Sequence, residues 1–236
     1  MEINKKMFDK KITMVIKDSK SSFIINDCSD IGTLLKEKVS KPKVISINNL
    51  NDIKFHDFSI YDIINKFMSK YNKKGKKFIN EILKLSTLSL DYLKKDPLEI
   101  NNSEKFKLVL ALVLMLNPQV IIINNMSCYL DCKSRKEIMF TLKKLKRDYN
   151  KTIYIVDNDV DYMYSVCDNV LILVDNEIIL HDKKDKIYYN YNLLKRKNVS
   201  IPIYIEFIYN AKKKHENDML IRDDVKDIMK DIYRSL

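Results

Sequence analysis

The segment SEKFKLVLALVLMLNPQVIIINN, Ser103–Asn125, decides the architecture. Its first part, Ser103 to Leu116, is apolar on nearly every face, which predicts a central buried helix rather than an amphipathic surface one. After Asn117-Pro118, the run Gln119 to Ile123 is β-branched with no polar alternation. Such a run predicts a strand covered on both faces, as in a parallel sheet. The same kind of run recurs at Ile12–Ile16, Lys43–Ile47 and Thr152–Val156. Between the last two strands, Ser134–Tyr149 places Ile138, Leu142 and Leu145 on one helical face with lysines opposite. Strands alternating with helices predict an α/β domain with a parallel-sheet core and right-handed crossovers.

Farther on, Val170–Val174 and Glu177–His181 flank Asp175-Asn176. Asx residues tolerate the positive φ of a tight turn, so this reads as a hairpin. Past Lys186 the only strand candidate is Ile201–Ile205, and Pro202 argues against a central position for it. Ile203–Lys214 and Asp223–Tyr233 read as amphipathic helices. The expected organisation is a main domain over residues 1–186 and a small C-terminal helical extension over 187–236. No internal repeat is visible.

Composition narrows the chemistry. Hydrophobic residues make up 46% of the chain, enough for a sizeable core, and the 32% that are charged are mixed in sign, which argues against global disorder. Glycine occurs only twice, at Gly32 and Gly75, so a glycine-rich phosphate loop is excluded. The net charge of +11 fits nucleic acid, an anionic membrane or an acidic partner, but it also fits an AT-rich genome that enriches Lys, Asn, Ile and Tyr together. Cys28, Cys128, Cys132 and Cys167 read as reduced thiols of a cytosolic protein, since a lone C-x3-C is a weak metal signal. His56, His181 and His215 are far apart and support no catalytic pairing. The start of the chain lacks a signal-peptide apolar region, and Leu108–Leu116 falls far short of the ~20 residues of a membrane span.

From Asp96 to Asp182 the order of elements resembles the ATP-binding subunits of ABC transporters, a P-loop NTPase fold. The residues that carry the resemblance are Asp96-Pro97-Leu98-Glu99-Ile100-Asn101-Asn102-Ser103 before the buried helix, then Asn117-Pro118-Gln119, then the strand ending at Asn124-Asn125. Cys128-Tyr129-Leu130-Asp131, a helix, the strand Thr152–Val156, Asp157-Asn158-Asp159 and the hairpin come next. Leu193-Leu194, Pro202 and the Asp223–Ile228 region are similar to the C-terminal region of energy-coupling factor transporter ATPases. The part before the first strand looks truncated relative to that family.

The resemblance implies roles for particular residues. Ser19-Lys20-Ser21-Ser22-Phe23 resembles the end of the phosphate loop, with Lys20 for phosphates and Ser21 for Mg²⁺. No glycine lies upstream, and Asp18 would repel an anion. The alternative for these residues is a helix N-terminus that holds no ligand. Asn124 stands where the family has the aspartate that organises Mg²⁺, and Asn125 where it has the glutamate that activates water. An amide carries no charge for the cation and accepts no proton. Asn158 stands in place of the histidine that contacts the γ-phosphate. Asn101, Asn102 and Ser103 replace the Ser-Gly-Gly of the signature, which in the family closes over the partner's nucleotide. The position of the family's Q-loop glutamine falls at Asn48 or Asn49, after the strand Lys43–Ile47. Asp131 matches the partner-contacting loop.

The resemblance therefore implies a cytoplasmic subunit peripheral to the membrane, paired with an intact ABC ATPase paralogue and docked on a membrane-embedded subunit. The altered positions imply a non-hydrolytic structural or regulatory half, with no cofactor assigned and ATP and Mg²⁺ in doubt. One alternative is a weak but working transporter ATPase. Another, from charge alone, is a basic module for nucleic acid or anionic membrane. No interleaved aromatic-basic motif is read, so no nucleic-acid partner is expected.

Overall fold

The computed structural model describes residues 9–25, 27–37, 42–55, 57, 59–73 and 75–215. These residues divide into two compact units, 9–13 with 23–157 and 14–22 with 158–215. The strand β1 (Ile12–Lys17) crosses the division after Thr13.

In the first unit the strands β2 (Cys28–Asp30), β3 (Val44–Ile47), β4 (Val120–Asn124) and β5 (Thr152–Val156) lie side by side in that order, all parallel. The register pairs Ile45 with Ile121 and Ile121 with Ile153, and each of these is fully buried. Burial on both faces explains why the strands show no alternation. The start of β1 is tied to β5 by Ile153 N–H donating to Lys11 O at 2.9 Å.

Six helices belong to this unit or come soon after it in the chain: α1 (Ile31–Lys36), α2 (Ile60–Lys70), α3 (Lys76–Ser86), α4 (Asn102–Leu116), α5 (Cys132–Tyr149) and α6 (Val160–Val166), the last in the second unit. α4 is the buried helix expected from its composition: Phe106 through Val113 are buried on every face. α5 buries the predicted face, Ile138, Leu142 and Leu145, together with Ser134 and Thr141. α2 and α3 were not anticipated. Each is amphipathic, with Ile60, Ile63, Ile64, Phe67 and Met68 inward on α2 and Ile79, Ile82, Leu83 and Leu85 inward on α3.

The second unit holds the later part of β1, then α6, and the antiparallel hairpin β6 (Asn169–Val174) and β7 (Glu177–Lys183). Asp175 and Asn176, both at positive φ (51° and 65°), form its two-residue turn as expected. A 3-10 segment, Lys184–Asn190, leads into α7 (Tyr191–Arg196) and α8 (Ile203–His215). The strand candidate Ile201–Ile205 is corrected here. Pro202 O accepts from Ile205 and Glu206 N–H, so the proline opens a helix, where its fixed φ fits. The expected helix Asp223–Tyr233 lies outside the described residues. Among the described residues, no helix is long and apolar enough to cross a membrane.

Scarcity of glycine does not deprive this chain of left-handed backbone. Asn117 and Asn150 end α4 and α5 in the αL conformation that glycine usually provides. Asn and Asp reach αL because their short side chains bond locally.

Candidate functional site

β1 ends at Lys17, and the next five residues, Asp18–Ser22, form the turn in which Lys20 and Ser21 sit. The Asp18 carboxylate folds back over it. Its Oδ1 accepts from Ser21 N–H at 2.8 Å and its Oδ2 from Asp175 N–H at 3.2 Å. Ser21 is buried, and its Oγ accepts from Asn176 N–H at 2.9 Å. Ser22 N–H donates to Asn176 Oδ1 at 3.0 Å, and Lys17 Nζ donates to Ser21 O at 2.9 Å. On the hairpin side, Lys197 Nζ pairs with Asp175 at 2.9 Å. The Ser21 hydroxyl beside it, aided by the amides of Asp175 and Ser21, holds the Asp18 carboxyl below the usual carboxylate range.

This turn does not fit a triphosphate with Mg²⁺. A phosphate loop needs free N–H groups converging on an anion. Here the N–H groups of Ser21 and Ser22 already bond Asp18 and the hairpin, and the Ser21 oxygen expected on Mg²⁺ accepts from Asn176. The alternative expectation of a helix N-terminus is not met, because residues 21–25 carry no regular secondary structure. Lys20 stays exposed, outside this set of hydrogen bonds.

In the first unit the strand ends bring several expected residues together. Asn124 Nδ2 donates to Asn48 Oδ1 at 2.7 Å, joining β4 to the residue after β3. Asn49 caps a 3-10 turn by accepting from Asn51 N–H, and its Oδ1 also accepts from Tyr129 O–H at 3.0 Å. Asn125 sits in αL (φ 51°), and its N–H donates to Val156 O at 2.8 Å. Asp157 is buried and accepts from both the N–H and the hydroxyl of Ser127. Asp157 and Ser127 were not paired by sequence reasoning, because nothing local links residues thirty apart. The assembled strand-end groups are amide-rich, with Asp157 already bonded. They offer hydrogen bonds but no free carboxylate to draw a proton from water.

The other expected residues lie where α4 and α5 begin. Asn101 and Glu104 form a capping box at the start of α4, with Asn101 Oδ1 accepting from Glu104 N–H at 3.0 Å and Asn101 N–H donating to Glu104 Oε2 at 2.9 Å. Asn102 is the exposed first residue of the helix. Ser103 is buried: its Oγ donates to Tyr129 O at 3.0 Å and accepts from Asp131 N–H at 2.9 Å. Asp131 caps α5 through Ser134 N–H at 2.8 Å, which, with further bonds, lowers its carboxyl pKa. Below this junction Lys107 Nζ meets Glu137 at 2.6 Å. Asn158 belongs to the second unit, is exposed, and accepts from Val160 N–H at 3.0 Å.

No family model matches the chain. Its curated relatives include the energy-coupling factor transporter ATP-binding protein EcfA2 of Clostridium acetobutylicum, 27% identical over 135 residues, covering 57% of this chain and 46% of the relative. EcfA1 of Lactobacillus delbrueckii subsp. bulgaricus is 28% identical over 138 residues, covering 58% and 47%. The chain thus spans about half the length of the curated relatives it matches. Among solved structures, cbiO1 of Clostridium perfringens, part of the ABC transporter complex cbiONQ, superposes with a TM-score of 0.58 at 18% identity. That superposition covers 80% of this chain and 83% of the other, and establishes the cassette fold.

Proposed function

Its homologues being ABC transporter ATP-binding proteins, mostly energy-coupling factor subunits, we propose that this chain is the non-hydrolytic structural half of an ATPase pair in an importer of that type. Its partners in this reading are an intact ABC ATPase paralogue and a membrane-embedded subunit, on whose cytoplasmic side it sits. In this reading the cassette ends near residue 186, and the described helices α7 and α8 belong to the C-terminal extension.

The supporting observation is the Asp18–Ser22 turn. The carboxylate of Asp18 takes the amide of Ser21, Asn176 Oδ1 takes the amide of Ser22, and Asn176 N–H donates to the Ser21 hydroxyl. Asn124 and Asn125 add a strand end with no general base. Asp131, exposed at the start of α5, is the residue assigned to contact the partner.

The test is to purify the tagged chain from its source cells in mild detergent, identify what accompanies it, and assay the complex. An ABC ATPase and a membrane subunit are expected in the eluate. ATP turnover is expected to vanish when that ATPase is inactivated, and the isolated chain is expected to show no saturable Mg-ATP binding by calorimetry. Turnover that survives inactivation of the partner would make this a working ATPase. A chain that elutes without either partner would end the transporter reading.

A further inference from the structure

A cavity of about 280 Å³ lies among α3, α4 and α5, at the far end of α4 and α5 from the Ser103–Asp131 junction. Its wall is largely apolar, with Phe78 and Ile82 from α3, Leu114 and Met115 from α4, and Leu145 and Tyr149 from α5. One charged group in the wall is buried. Lys151 is 7% exposed.

The ends of two helices put Lys151 there. α5 ends at Asn150 in αL, and Lys151 N–H donates back to Leu145 O at 3.1 Å. The side chain reaches the end of α4, where Nζ donates to Asn117 Oδ1 at 2.5 Å and to Pro118 O at 2.6 Å. Both acceptors are neutral, and among the described residues no carboxylate pairs with Lys151. An ammonium carries three N–H donors, so one is uncommitted. The other buried lysine, Lys107, meets Glu137 at 2.6 Å, which is how a buried charge is ordinarily kept. The C-terminus of α4 lends Lys151 roughly half a negative charge, which leaves it incompletely compensated, and burial pushes its pKa down. The remaining charges in the wall are the half-buried Lys73 and the exposed Glu81, so the lining carries a net charge of +1.

We propose that this cavity holds a small aromatic monocarboxylate, with its ring among the apolar side chains and its carboxylate on Lys151 Nζ. The volume lies just under the ~300–1,000 Å³ of sites for drug-sized ligands, which suits a ligand of one ring. Phe78 and Tyr149 offer ring edges and faces, and Met115 a polarisable sulfur, all of which favour an aromatic body. One negative charge balances the lining. A dianion such as phosphate exceeds it and meets Glu81 and the carbonyl end of α4, and a neutral ring leaves the ammonium unpaired. The site lies apart from the Asp18–Ser22 turn, and the proposal does not rest on the ATPase reading.

The full chain would be titrated by calorimetry, at constant ionic strength, with phenylacetate and with its neutral isostere phenylacetamide. Saturable binding of phenylacetate is expected, at least about tenfold tighter than that of phenylacetamide, because the bond to Lys151 is charge-assisted. Lys151→Met keeps the apolar stem and removes the charge, and is expected to bind the two compounds alike. Because the chain has no tryptophan, a Phe78→Trp variant reports on the cavity with Lys151 intact, and its emission is expected to change saturably with phenylacetate. Absence of saturable phenylacetate binding, equal affinity for phenylacetamide, or an unchanged preference in folded Lys151→Met overturns the proposal. So does displacement of phenylacetate by inorganic phosphate, since the site would then take anions in general.

Discussion

The same tetrapeptide pattern occurs twice in this chain and leads to two different structures. Asp18-Ser19-Lys20-Ser21 and Asp131-Cys132-Lys133-Ser134 both read Asp-x-Lys-Ser. In both, the aspartate accepts from the serine N–H three residues on, at 2.8 Å. Both carboxyls are held below their ordinary value. Yet Asp131 starts an eighteen-residue helix, and Asp18 closes a turn that runs into chain without regular secondary structure. The cap is a local bond that suits either outcome. The residues after the cap decide between them. Ile138, Leu142 and Leu145 supply a helical apolar face after Ser134, whereas Phe23-Ile24-Ile25 supplies apolar residues with alternating burial after Ser21. The hairpin tip then locks the Asp18 turn from outside through Asp175 and Asn176.

The largest difference should come from the residues downstream of the motif. Ile138→Ala, at a fully buried site, is expected to cost about 2–5 kcal/mol. Ile24→Ala, 63% exposed, should stay within about 0.5 kcal/mol. Denaturant unfolding measures both, and similar values for the two would remove the explanation. A proline at the bonded amide comes next. Ser22→Pro deletes the N–H that reaches Asn176 and should cost about 1–3 kcal/mol, while Cys132→Pro, at the first helical position of α5, should be nearly neutral. A large loss at Cys132 would mean that α5 does not begin where Asp131 caps it.

The cap itself is worth less. Asp131→Ala should lower the midpoint of the thermal melt, by less than Ile138→Ala does, because it removes one N-cap bond and no core packing. The smallest effect is on pH dependence. Both carboxyls have folded pKa values below the unfolded one, so their stabilisation is full above the unfolded value of ~3.9 and is lost as pH falls through the folded value. Replacing either by Asn should therefore flatten the acid limb of the stability curve. An unchanged acid limb in Asp131→Asn would show that the bonds to Ser134 do not depend on its charge.

Much of the fold could be read directly. β3, β4 and β5 fall on the expected apolar runs because a strand buried on both faces needs nothing but β-branched residues. The hairpin turn was legible for the same kind of local reason, since Asp175-Asn176 accepts positive φ. α2 and α3 carried a readable signal in their i, i+3, i+4 apolar spacing, but their many lysines and the lack of proline boundaries hid it. β2, with three half-buried residues, has no periodicity to detect.

The candidate site divides along the same line. Residue type alone establishes that the strand ends at Asn124 and Asn125 carry amides and that Gly32 and Gly75 cannot build a phosphate loop, because charge and backbone freedom are properties of single residues. Only the tertiary structure decides that the hairpin tip meets the Asp18 turn, that Asn176 takes the amide of Ser22, and that Asn124 at the end of β4 reaches Asn48 after β3. Those bonds join groups whose meeting depends on the fold, and a hydrogen bond is set by a few tenths of an ångström in space, not by spacing in sequence.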